Sequence, residues 1–154
     1  MDHETRINTA LGKILRNCNY LELNLGLCLR FLVSPSDPSA SHSYLNRVGM
    51  PQAIKRLKNL LDECEHIPDT SEFQQWMKRA EEIRLLRNYY IHATWEYLPL
   101  LNDAPLGFRI PPWRKEVIRG SNHGTMQIED LEADANRIEE AFNEFMAIRN
   151  KYGV

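Results

Sequence analysis

From Ile7 the apolar residues recur at Leu11, Ile14, Cys18, Leu21, Leu25, Cys28 and Leu32, in strides of four and three that put them on one face of an α-helix. The spacing predicts a helix from about Thr5 to Leu32, ended by the turn-forming run Ser34-Pro35-Ser36-Asp37-Pro38-Ser39. Leu15 and Leu29 widen its apolar face to one side, and Glu22 sits between them, a carboxylate set into an apolar strip. After Gly49-Met50-Pro51 a second helix carries Ile54, Leu57, Leu61 and Cys64 inward, and Ile67-Pro68-Asp69 stops it. Ser71 with Gln74 predicts a capping box for a third helix, whose stripe runs through Phe73, Trp76, Ala80 and Ile83 to Tyr90. Between Thr94 and Met126 the helical period is lost. Trp95 to Leu98, Gly107 to Ile110 and Trp113 to Ile118 read instead as short strands, separated by Asn102-Asp103-Ala104-Pro105, Pro111-Pro112 and Gly120-Ser121-Asn122. A last helix from about Glu129 turns Ile128, Leu131, Ala135, Ile138, Phe142 and Phe145 inward. The expected fold is mainly α, a four-helix bundle forming one domain over 1–154, with a small β-hairpin flap at about 94–126 before the last helix.

One position breaks the pattern. Between Ile83 and Tyr90 the stripe of the third helix demands an apolar residue, and the chain has Arg87. An arginine taken out of water without a partner costs several kcal/mol, about the stability of a small domain, so Arg87 should face a carboxylate, a subunit interface or an anion. Glu22 is the candidate countercharge, the alternative being a boundary glutamate that reaches solvent. Asn88 and His92, four apart, share a helix face, and Arg84 joins them one turn earlier. Arg87 and His92 are five apart, which at about 100° per residue separates them by roughly 140°. Either the helix breaks near Tyr90-Ile91, which the β-prone Thr94, Trp95, Tyr97 and Leu98 favour, or two copies of the segment pool their side chains across a two-fold axis.

Composition narrows the function classes. A net charge of −2 argues against indiscriminate binding of duplex DNA, although Arg109, Arg114, Lys115 and Arg119 concentrate positive charge against Glu116 alone. Of the three cysteines, Cys18 and Cys28 lie on one helix about 15 Å apart, too far to bridge, which suits reduced thiols and a cytoplasmic location. The polar Met1-Asp2-His3-Glu4 is no signal peptide, and no apolar run approaches the roughly 18 residues of a membrane span, so no membrane association is expected.

Metal chemistry has little to work with. Cys64-Glu65-His66 offers ligand types at a helix end without a second pair, there is no glycine-rich phosphate loop, and no serine stands in a nucleophile elbow. No cofactor or metal is expected. His3, His42, His66 and His123 lie in polar loops or termini, whereas His92 has Arg87 and Asn88 beside it. These residue types suit cleavage of RNA by its own 2′-hydroxyl: a neutral imidazole moves the proton, an arginine stabilises the phosphorane and an asparagine orients the phosphate. The competing reading is a structural network in which Arg87, Glu22, Asn88 and His92 satisfy one another. Trp95, Phe108 and Trp113 can stack on bases, but aromatic residues in a small flap more often cover a core.

Arg87-Asn88, three residues, then His92, at the end of the third helix, resembles the arginine-to-histidine motif of the HEPN superfamily (higher eukaryotes and prokaryotes nucleotide-binding). Tyr20-Leu21-Glu22-Leu23 within the long first helix and His92-Ala93-Thr94-Trp95 resemble small bacterial members that carry a flap before the last helix. The resemblance implies a homodimer whose motif helices face each other and form a composite, metal-independent ribonuclease site. Arg87 and His92 would be its catalytic pair, Asn88 the polar residue after the arginine, and Glu22 a supporting residue; Arg84, on the helix face of Asn88 and His92, and Thr94, two residues after His92, are counted as further supporting residues. Some toxin members place a tyrosine where this chain has Thr94, and some members bind without cleaving. The expected function is a metal-independent endoribonuclease of the toxin or phage-defence kind, acting on RNA and with an antitoxin protein as a further partner. The alternative is a non-catalytic dimeric module that binds a nucleotide, RNA or another protein.

Overall fold

The computed structural model describes residues 2–65, 67–101, 105–115 and 120–154. In chain order it has α1 (His3–Val33), a 3-10 turn (Pro38–Ser41), the short α2 (His42–Leu45), α3 (Met50–Asp62), α4 (Ser71–His92), β1 (Thr94–Tyr97), β2 (Leu106–Arg109), β3 (His123–Met126) and α5 (Ile128–Tyr152). The protein is therefore mainly helical, with one small antiparallel sheet in the order β1-β2-β3. It falls into two compact units, 1–17 with 85–139 and 18–84 with 140–154, so that α1, α4 and α5 each contribute a segment to both.

In the first unit α1 begins where Asp2 takes the N-cap position, its carboxylate accepting from Thr5 N and Thr5 Oγ1, both at 2.8 Å. Ile7, Ala10 and Ile14 of α1 are buried, as are Ile128, Leu131, Ala135 and Ile138 of α5. Arg6 clamps the edge of these two segments, donating to Glu132 at 2.7 and 2.8 Å and to Glu129 at 2.7 Å. Lys13 continues the seam to Asn136 and Glu139. The sheet puts Leu106, Phe108 and Met126 inward, with Ile110 just beyond β2, and Tyr89, Ala93 and Trp95 pack on the Phe108 and Ile110 cluster.

Two expectations for the flap change. The third strand is His123–Met126, whereas Trp113 lies in a turn closed by Arg114 N donating to the Pro111 carbonyl at 2.9 Å. Pro112 fits the second position of that turn and has no backbone N–H to give a ladder, so the chain turns at Trp113 where a strand was expected to begin. The rest of that expected strand, 116–118, and most of the 102–105 turn lie outside the described residues.

In the second unit the core is aromatic. Trp76 stacks on Phe145 with centroids 4.2 Å apart, its indole N–H donates to the Ala141 carbonyl at 2.8 Å, and Phe73 meets both Phe145 and Tyr152. Leu21, Leu25 and Leu29 of α1 and Ala53, Leu57 and Leu61 of α3 complete it. The cap of α4 sits one residue earlier than the expected Ser71 box. Ser71 is already helical, Asp69 accepts from Ser71 N, and Gln74 reaches back to Thr70 Oγ1 at 3.2 Å. α3 ends at Asp62, before the proline expected to stop it, and between the Ser34 to Ser39 turn formers and Gly49 the chain forms the short α2.

Candidate functional site

The apolar stripe of α4 is real: Phe73, Trp76, Ala80, Ile83 and Tyr90 are each at most 5% exposed. Arg87 falls on it and is only half-buried. Its Nη1 donates to Asn88 Oδ1 at 3.5 Å, the long limit of a hydrogen bond.

The helix does not break at Tyr90-Ile91. It runs through His92, with Ala93 N still bonded to the Tyr89 carbonyl at 3.0 Å. The β-prone residues that follow take over at the helix end in a different way. Trp95 folds back to stack on Tyr90, with centroids 5.3 Å apart, and its indole N–H donates to the Tyr90 carbonyl at 3.1 Å, satisfying a helix-end acceptor. Tyr90 is held in turn by its hydroxyl, which donates to Asp134 Oδ2 at 2.6 Å, while Arg137 donates to the other oxygen. An unbroken helix keeps Arg87 and His92 about 140° apart within one chain.

Arg87, Asn88, His92 and Thr94 therefore belong to one unit and one stretch of backbone. His92 is half-buried and its imidazole makes no hydrogen bond to a described residue, and Thr94 is exposed at the start of β1. Around this stretch Leu11, Gly12, Ile14, Leu15, Tyr90 and Ile91 line a shallow apolar groove of about 310 Å³, with Leu15 and Ile91 at 47% and 40% exposure.

Glu22 and Arg84 belong to the second unit. Glu22 is half-buried, its Oε1 lying 3.8 Å from where a Cβ on Gly49 would stand. Arg84 donates to Glu81 Oε1 at 2.5 and 2.9 Å, and that guanidinium holds the Glu81 carboxyl below the usual carboxylate range. Of the metal-ligand types at the end of α3, His66 lies outside the described residues, and no group of three or more His, Cys, Asp or Glu is placed to hold a metal among those described. None of the described helices is long and apolar enough to cross a membrane.

The aromatic residues of the flap divide. Trp95 and Phe108 cover the core beside α4, while Trp113 is 81% exposed. Of the residues that fix the end of α4, spacing placed Tyr90 on the buried stripe and Trp95 at the start of a strand, but it signalled neither their stacking nor the part played by Asp134. No family model matches the chain, and neither a curated protein nor a solved structure gives a match.

Proposed function

We propose that the protein is a metal-independent endoribonuclease that works as a homodimer, with a composite site built from Arg87 and Asn88 of one copy and His92 of the other. The observation that carries this reading is the continuity of α4 through His92. With the two side chains about 140° apart on one helix, a single chain cannot aim both at one phosphodiester, whereas two antiparallel copies of the same helix end can. The apolar groove beside Ile91, rimmed by the exposed Leu15, supplies a surface of the kind that a second copy would bury.

In this reading His92 carries the proton between the 2′-hydroxyl and the leaving 5′-oxygen, and Arg87 neutralises the charge that builds on the phosphorane. Asn88, already within reach of the guanidinium, orients the phosphate. The mainly helical fold is compatible with the four-helix HEPN-like bundle expected from the sequence; toxin or phage-defence biology and cytoplasmic residence are part of the proposed reading. An antitoxin partner belongs to the same reading.

The test is cleavage of a mixed RNA pool in EDTA by the wild-type protein beside His92→Ala, with the mass of both measured in solution. Cleavage by the wild-type dimer alone supports the proposal. Two folded dimers that both leave RNA intact would favour a binding module in which Arg87 and Asn88 hold an anionic ligand without reacting. Activity retained by His92→Ala would remove His92 from the mechanism.

A further inference from the structure

We propose that the outward face of the β-sheet is a platform for single-stranded RNA, with Arg109 on a phosphate, His123 on a 2′-hydroxyl and Trp113 stacked on a base. The proposal rests on the ribonuclease reading and adds how the strand would be held.

Strand register creates this surface. Thr94 is paired with Arg109, and Arg109 with His123, so one residue from each strand lines up in a single row on one side of the sheet. Neighbours in such a row have Cβ atoms about 4.5–5.5 Å apart. All three residues are exposed, and the row begins two residues after His92. The adjacent row, Trp95-Phe108-Gly124, points the other way into the core, and the next outward row is covered at Gly107 by Leu98. The outer face therefore presents a hydroxyl, a guanidinium and an imidazole side by side, with Glu96 and Thr125 exposed at the two ends of the next row.

Each group has chemistry to spare. His123 Nδ1 lies 2.9 Å from Asn122 Oδ1; with that oxygen accepting, the proton is on Nδ1 and Nε2 carries a lone pair. A ribose 2′-hydroxyl is a donor that such a nitrogen accepts from, and deoxyribose lacks it. Arg109 is one of three exposed cations on this stretch, with Arg114 and Lys115, and none of the three has an ion-pair partner among the described residues. The Pro111 to Arg114 turn presents Trp113 at its tip, 81% exposed, four residues along the chain from Arg109. A large indole left in water, with Arg114 and Lys115 next to it in the sequence, suits a nucleobase better than a core.

The platform is tested by binding in EDTA of a fluorescein-labelled oligouridylate and its deoxy counterpart to the His92→Ala protein, which leaves the RNA whole, and to the same protein carrying Trp113→Ala, Arg109→Gln or His123→Ala. The deoxy probe is also measured in the wild-type background. Trp113→Ala should weaken both probes about tenfold or more. Arg109→Gln should flatten the plot of log affinity against log salt by about 0.7. His123→Ala should cost affinity for RNA alone and erase a preference for RNA over DNA. Tight RNA binding unchanged within about twofold in all three variants would overturn the platform while leaving the ribonuclease reading standing. Absence of RNA binding by any of the proteins would overturn both.

Discussion

Removing one oxygen atom tests how the end of α4 is held. Tyr90 is 5% exposed and its hydroxyl donates to Asp134, whose side chain is 16% exposed, at 2.6 Å. Tyr90→Phe keeps the ring that stacks on Trp95 and deletes only that donor. A hydrogen bond to a charged acceptor contributes about 1.5–3 kcal/mol, and the shielding of this pair makes about 2 kcal/mol a fair central value. For a chain of 154 residues that lowers the melting temperature by about 4–8 °C. Asp134→Asn weakens the same bond and the contact from Arg137, so the two substitutions should overlap. In a double-mutant cycle followed by urea unfolding, the coupling between them should be about 1 kcal/mol or more. Additivity within about 0.3 kcal/mol would show that the Tyr90 hydroxyl does not depend on Asp134, and that something else fixes the helix end bearing Arg87 and His92.

Three further outcomes follow from the geometry. Because hydrogen bonding from Arg6 holds the Glu129 and Glu132 carboxyls below the ordinary value of 4.5, the stabilisation is complete above that pH and is lost as pH falls through the folded-state values. Arg6→Gln should therefore be less stable at neutral pH and show a shallower fall in melting temperature between about pH 5 and pH 3 than the wild type; parallel curves would contradict the clamp. Burial pushes the Cys28 thiol up to about 12 and Cys18 is buried too, so a thiol reagent at pH 8 should modify Cys64 first and the other two only on unfolding, as read by mass spectrometry. Arg47 is exposed with φ at +59°, a left-handed conformation that strains a residue with a Cβ, so Arg47→Gly should raise stability by up to about 1 kcal/mol, read as a higher urea midpoint. A loss of stability there would show that the Arg47 side chain makes a contribution larger than its strain.

The long helices were legible because their apolar strides of three and four run uninterrupted for several turns, and the observed α1 and α5 begin and end within a residue or two of the pattern where it fixed them. Arg87 stood out for the opposite reason, since it violated such a stride. β3 was not legible. Its inward position next to Phe108 is Gly124, where a Cβ would come within 3.2 Å of the Phe108 ring, so the alternation that marks a strand has a gap at its centre. Trp113 was expected to open a strand, but it follows two prolines and sits inside the turn closed by Arg114 N and the Pro111 carbonyl. The expected break after Tyr90 failed because β propensity at Thr94 and Trp95 is local, while the Trp95 indole reaches back to cap the helix. The Thr94-Arg109-His123 row depends on pairing between strands far apart in sequence, information that no single stretch of chain contains.

The composite site is tested most directly by mixing two inactive variants. Arg87→Gln retains His92, and His92→Ala retains Arg87, so a mixed dimer has one site with both native residues and one with neither. After the two proteins are unfolded together and refolded at equal concentration, about half the dimers are mixed, and RNA cleavage in EDTA should return to about a quarter of the wild-type rate. Cleavage by the refolded mixture no greater than by either variant alone, with mixed dimers confirmed by mass and the wild type active in the same assay, would contradict a site shared between two copies.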